Sequence, residues 1–194
     1  NQKTVWFNSR FYRANLLWDK GTMRFRDIHL FDENVASDYL TKKGTSSKCL
    51  YYTLPIVDGF CWSSLETIAG LRLKSNGGLE IRGSTPGVDD GTDGQLVVRW
   101  PTESPKGEIV ITFTEKSIGI SAGGGVKDNW YFELSAAKKA RLPFAKISGG
   151  KLSCTFRNAP YAISAVRGRF AASAQSALRV TPEKNRIVMD LSSR

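Results

Sequence analysis

Asn129-Trp130-Tyr131-Phe132-Glu133-Leu134, Lys151-Leu152-Ser153-Cys154-Thr155-Phe156, Tyr161-Ala162-Ile163-Ser164-Ala165-Val166, Ala177-Leu178-Arg179-Val180-Thr181 and Arg186-Ile187-Val188-Met189-Asp190-Leu191 follow one another over the last third of the chain. Several of these segments alternate apolar and polar residues. Gly, Pro, Asn or a Lys-rich stretch separates them. Alternation with period two places one row of side chains in a core and the other toward water, so the series reads as half-buried antiparallel strands joined by turns.

The middle of the chain, about residues 67–126, continues the pattern. Thr67 to Lys74, Leu79 to Arg82, Gln95 to Trp100, Glu108 to Thr114 and Ser117 to Ser121 are strand candidates. Asn76-Gly77-Gly78, Thr85-Pro86-Gly87, Ser104-Pro105-Lys106-Gly107 and Gly123-Gly124-Gly125 mark turns, Lys116-Ser117 closes another, and Asn76-Gly77 is a hairpin signal. Pro86 and Pro101 are expected at strand limits, where a missing backbone donor does little harm. The one helix expected in the second half is Ser135 to Arg141, Ala- and Lys-rich and barely two turns long.

Residues 1–66 have a different texture, rich in aromatic side chains and irregular. Within them Thr22 to Phe31 alternates, with Met23, Phe25, Asp27 and His29 on one side and Arg24, Arg26, Ile28 and Leu30 on the other. Neither face is purely apolar, which points to a strand near an edge or a cleft. Asp32 to Lys43 has no strong period and reads as a short helix or a long loop. Together these features predict an all-β, single-domain chain over residues 1–194: an antiparallel β-sandwich of two packed, curved sheets with the aromatic-rich segment 1–66 packed on it. A closed barrel is the alternative, since strand number alone does not separate the two.

A chain of 194 residues builds an adequate core without disulfides or metal. No apolar run approaches the ~18 residues of a membrane-spanning helix. Asn1 is preceded by no initiator Met and opens no signal-like stretch, so a mature, processed or truncated product is expected. Cys49, Cys61 and Cys154 are odd in number and fit no zinc spacing. Cys49 and Cys61 are near enough in sequence to pair, but buried reduced thiols are the favoured state, and the redox compartment stays open. With 28 Lys and Arg against 18 Asp and Glu, the net charge of +10 suits a polyanionic partner as well as a solvated basic surface. The basic residues are dispersed in short clusters and no nucleic-acid-binding motif is present, so nucleic acid is disfavoured.

Three stretches carry candidate chemistry. Asp89, Asp90 and Asp93 lie in a Gly-punctuated segment able to offer oxygen ligands to calcium, although an acidic surface turn accounts for the same residues and no cofactor is expected. Asp27, His29, Asp32 and Glu33 set the chain's single His among carboxylates, as an acid–base pair or as a structural His. Asp58, with Tyr51, Tyr52 and Trp62, is a candidate sugar platform, aromatic faces stacking on pyranose rings while a carboxylate takes hydroxyls; the competing reading is core. Arg24 and Arg26 are the candidate contacts to an acidic ligand.

Trp130 to Leu134, Leu142-Pro143-Phe144, Tyr161, Gly168-Arg169-Phe170, Arg179 to Glu183 and Ile187 to Leu191 together resemble the β-sandwich portions attached to secreted glycan-degrading enzymes of gut-type bacteria. The resemblance covers about a third of the chain. It implies a secreted or cell-surface protein that acts in carbohydrate processing, as part of a larger chain or complex, and it carries over no catalytic residue. The expected function is a non-catalytic module that binds or positions a polysaccharide or oligosaccharide, acidic ones included. The alternatives are a glycan-active enzyme and a structural or assembly domain. A glycoside hydrolase would draw paired carboxylates from Asp27, Asp32, Glu33, Asp58 and Glu66. A polysaccharide lyase would use Tyr, Lys or His29 as base.

Overall fold

The computed structural model describes residues 2–35, 43 and 53–192. Its regular structure is antiparallel β-sheet, with one short 3-10 turn at Thr92–Gly94. In chain order the strands are β1 (Gln2–Asn8), β2 (Tyr12–Asp19), β3 (Thr22–Leu30), β4 (Leu54–Asp58), β5 (Gly70–Lys74), β6 (Arg82–Gly83), β7 (Gly87–Asp90), β8 (Leu96–Ser104), β9 (Lys106–Phe113), β10 (Ser117–Gly124), β11 (Tyr131–Ser135), β12 (Phe144–Ile147), β13 (Lys151–Phe156), β14 (Ala159–Arg167), β15 (Arg169–Ala171), β16 (Arg179–Thr181) and β17 (Arg186–Asp190). They form one large sheet, curled until it is nearly closed. A continuous cluster of buried apolar side chains runs from Val5 to Leu191, with Trp100, Trp130, Tyr12 and Phe25 among its largest members.

Two expectations for the first region are corrected. Residues 2–30 are regular: β1, β2 and β3 form an antiparallel meander with continuous pairing from Gln2↔Asp19 to Tyr12↔Leu30. Nor is β3 at an edge. It pairs with β2 on one side and, along the other, in turn with β6 at Thr22, β5 at Arg24 and Phe25, and β4 from Asp27 to Leu30.

A β-bulge explains why neither face of this segment reads as apolar. Leu16 opposes Phe25 and Asn15 opposes Asp27, so Arg26 is the extra residue. One inserted residue shifts the alternation by one position. Met23 and Phe25 before the bulge, and Ile28 and Leu30 after it, therefore all reach the core, opposite Trp18, Leu16, Ala14 and Tyr12. Arg24, Asp27 and His29 are left on the outer face, opposite Leu17, Asn15 and Arg13.

Other differences have local causes. Ser135 to Arg141 forms no helix: Ser135 ends β11, the Ala137 N–H donates to the Trp62 carbonyl, and a turn closes from Ala140 to Ala137. So short a segment ahead of Pro143 cannot keep a helical nucleus once tertiary partners take its donors. Pro101 lies inside β8, where the strand's partner changes from β7 to β6 and its missing N–H interrupts no ladder. Residues 36–42, part of the Asp32 to Lys43 segment, fall outside the described residues.

Candidate functional site

The outer face of β1–β4 carries a row of paired residues across four strands: Trp6↔Asn15, Asn15↔Asp27 and Asp27↔Asp58. Side chains of directly opposed residues leave the same face of a sheet. Trp6 follows from the alternation of β1, in which Val5 and Phe7 turn inward while Thr4, Trp6 and Asn8 turn outward. Trp6 is 45% exposed, and the Arg26 guanidinium lies 5.4 Å from its ring centroid. The other four tryptophans, Trp18, Trp62, Trp100 and Trp130, are buried.

Two glycines let neighbouring strands crowd the bulge. A Cβ on Gly59 would lie 2.6 Å from the Arg26 carbonyl oxygen, and one on Gly70 would lie 2.7 Å from Arg24 Cδ. Gly59 also donates its N–H to that carbonyl at 2.8 Å. Thus the end of β4 and the start of β5 both approach β3 beside Arg26.

Behind Trp6 the face turns inward. Asp27, His29 and Asp58 are all buried, and one ligand-type atom from each lies within 4.8 Å of the others. His29 Nε2 is 3.9 Å from Asp27 Oδ1 and 3.9 Å from Asp58 Oδ2, too far for hydrogen bonds. His29 Nδ1 is 2.6 Å from Thr53 Oγ1. Asp58 Oδ1 accepts the N–H groups of Phe60 (3.1 Å) and Cys61 (2.7 Å), which fixes the turn after β4. Asp27 Oδ2 accepts from Arg26 Nε at 3.4 Å, and Oδ1 takes a long bond from the Gly59 N–H.

Burial, reinforced by Arg13 and opposed by Asp58, pushes the His29 pKa down to about 4, so the ring is neutral at pH 7. Burial raises the Asp27 carboxyl above its ordinary value, with Arg26 opposing. The Cys61 thiol is pushed up to about 12 by burial and then by Asp58, although the residue as a whole is exposed. It is therefore protonated and a poor nucleophile at neutral pH. Cys154 is a buried free thiol, as expected, while Cys49 lies outside the described residues.

The remaining candidates are placed elsewhere. Trp62 is core, edge-on to Phe144 at 6.0 Å, and offers no platform. Tyr51 and Tyr52 lie outside the described residues. Arg24 is on the outer face with its pKa lowered by burial and by neighbouring Arg72. Asp32 holds a local turn through Asn34, Glu33 pairs with Arg10 at the surface, and Glu66 is exposed; none joins the buried group. Asp89 and Asp90 are consecutive exposed residues of β7, so their side chains leave opposite faces, and Asp93 follows in the 3-10 turn. Among the described residues, Asp27, His29 and Asp58 are the only such triple that converges.

No family model matches this chain, and no curated protein matches it.

Proposed function

We propose that the chain is a non-catalytic, carbohydrate-associated β-module, and that it meets a glycan on the outer face of β1–β4. Trp6 is the observation that carries this reading. It stands 45% exposed on that face while the other four tryptophans are buried. A pyranose ring stacks on such a surface by its apolar face, and Arg26 beside it supplies a charged donor to hydroxyl or carboxylate oxygens. Phe60, 73% exposed, adds apolar surface one residue beyond Gly59, whose backbone lies against Arg26. The net charge of +10 favours acidic glycans.

The hydrolase reading rests on the paired Asp27 and Asp58, with oxygens inside 4.8 Å, near the ~5 Å spacing of retaining glycosidases. Their side chains are only 13% and 10% exposed, which disfavours direct contact with a sugar.

Binding of the purified chain to neutral and uronate-rich polysaccharides, at low and high salt, tests the module reading. Trp6→Ala is expected to weaken binding about tenfold or more, the scale of a truncated interface anchor. Arg26→Gln is expected to reduce the salt dependence for the uronate-rich ligand. Equal affinity of the Trp6→Ala protein, or no binding to any glycan, defeats the proposal. Release of shortened oligosaccharide would favour the hydrolase.

A further inference from the structure

We propose that Asp27, His29 and Asp58 form a binding site for one divalent transition-metal ion of the zinc type. Carboxylates near a histidine would not carry this by themselves. The decisive feature is His29 Nε2, which is buried and has no hydrogen-bond partner among the described residues. It points between two carboxylate oxygens, each 3.9 Å away. Leaving a buried polar atom without a partner is costly, and unlike the other such atoms this one faces two carboxylate oxygens that a cation would share with it. If Nδ1–H donates to Thr53 Oγ1, the Nε2 lone pair faces Asp27 Oδ1 and Asp58 Oδ2, the first of which has only the long Gly59 N–H bond. If the proton is on Nε2 instead, it is aimed into a gap too wide for either oxygen.

A cation in that gap satisfies all three atoms. Asp27 Oδ2 is held by Arg26 and Asp58 Oδ1 by the Phe60 and Cys61 N–H groups, and Asp27 Oδ1 takes a further, long bond of 3.4 Å from the Gly59 N–H. Asp27 Oδ1 and Asp58 Oδ2 face His29. The Thr53 hydroxyl on Nδ1 is the outer partner that orients a ligating imidazole and sets its tautomer. Two carboxylates and a neutral ring supply two negative charges, matching a divalent ion.

The nitrogen excludes calcium and magnesium as the best fit, since both prefer all-oxygen surroundings, while zinc accepts mixed nitrogen and oxygen ligands. Tetrahedral zinc bonds of ~2.0–2.2 Å set ligand atoms about 3.4 Å apart. Each 3.9 Å gap from His29 Nε2 to a carboxylate must therefore close by about 0.5 Å, and the gap between the two carboxylate oxygens, within 4.8 Å, by up to about 1.4 Å. Three protein ligands leave a fourth position for water or for a group on a bound molecule. Arg13, which acts on His29, and Arg26 on Asp27 lower the affinity relative to an uncharged setting.

The test is calorimetric titration of the untagged, chelator-treated full chain with ZnCl2 and, separately, MnCl2, with the thermal unfolding midpoint read in parallel. The expected result is one Zn2+ per chain, bound more tightly than Mn2+, with a raised unfolding midpoint. His29→Gln and Asp58→Asn are expected to abolish uptake; the second change keeps a side-chain oxygen to fix the turn. Thr53→Val, with all three ligands in place, is expected to weaken uptake about 10- to 100-fold. Failure of the unmodified chain to bind zinc stoichiometrically overturns the site. So does uptake that survives His29→Gln, or uptake lost instead in Cys61→Ser, which would assign the metal to the thiol. Should the His29 and Asp58 variants not fold, unchanged affinity in Thr53→Val overturns it equally. None of these readouts involves a glycan, so the result stands apart from the module reading.

Discussion

Replacing Trp100 by alanine is expected to lower the unfolding free energy by about 3–5 kcal/mol, the cost of deleting a fully buried large aromatic. Trp100 lies in β8 opposite Ile109 and has no exposed surface. Its indole N–H donates to the Ser84 carbonyl at 2.8 Å, so truncation also leaves that oxygen without its partner. The neighbourhood collapses poorly. Gly83 packs against the indole so closely that a Cβ there would lie 2.8 Å from Nε1 and 2.3 Å from the Pro101 carbonyl oxygen. Backbone from two strands frames the vacancy, and backbone moves less readily than side chains. In guanidinium titrations the midpoint should fall with the slope unchanged. In thermal scans the loss corresponds to about 6–20 °C for a chain of this size. Trp6→Ala, by contrast, should stay within about 0.5 kcal/mol of the parent, as at other surface positions. A Trp100→Ala loss below about 1 kcal/mol would show that this part of the sheet refills the space.

The contrast between the two tryptophans shows what is legible in the sequence. Strands with uninterrupted alternation, such as β13 and β17, can be read directly because the pattern alone decides which face is buried. Trp6 carries the same signal: within Gln2–Asn8 it falls in the polar phase with Thr4 and Asn8. The density of aromatic residues around it obscures that signal, since composition does not distinguish a core ring from an exposed one. Trp62 misleads for the converse reason. Its place just after the Asp58-Gly59 turn suggests a surface, yet its ring packs on Phe144, in a strand that local sequence does not bring near.

The buried group is half legible. Alternation puts Asp27 and His29 on one face, and both are there. Asp58 reaches them only because β4 pairs with β3 in one particular register. That register depends on two bulges, at Arg26 and between Ile28 and His29, and on Gly59 letting the strand end close against Arg26. A bulge leaves no reliable mark in a single sequence. What it leaves is a face that reads as neither polar nor apolar, as in Thr22 to Phe31, and such a segment is better read as a phase shift than as an edge strand.

Glu133→Gln is expected to cost about 1.5–3 kcal/mol at pH 7, the worth of hydrogen bonds to a charged group, and to do so in a pH-dependent way. Glu133 is buried in β11 between β5 and β16. Lys74 Nζ reaches Oε2 at 2.6 Å and Arg179 Nη2 reaches Oε1 at 2.7 Å. Arg179 in turn lies 4.3 Å from the Tyr131 ring centroid, which holds the guanidinium in place. Burial by itself would raise the Glu133 pKa, but the bonds and charges of Lys74 and Arg179 outweigh it and hold the carboxyl below its ordinary 4.5. A carboxyl depressed in the folded state contributes stability that is fully present above its unfolded value and is lost as pH falls through the folded value. The gap between parent and Glu133→Gln should therefore be widest at neutral pH, begin to close below 4.5, and vanish once the parent's carboxyl is protonated. Denaturant titrations of both proteins at pH 7 and in the acid range measure that gap. One that persists undiminished into acid would mean the glutamine is penalised by shape, and that the two cations stabilise β11 little through charge.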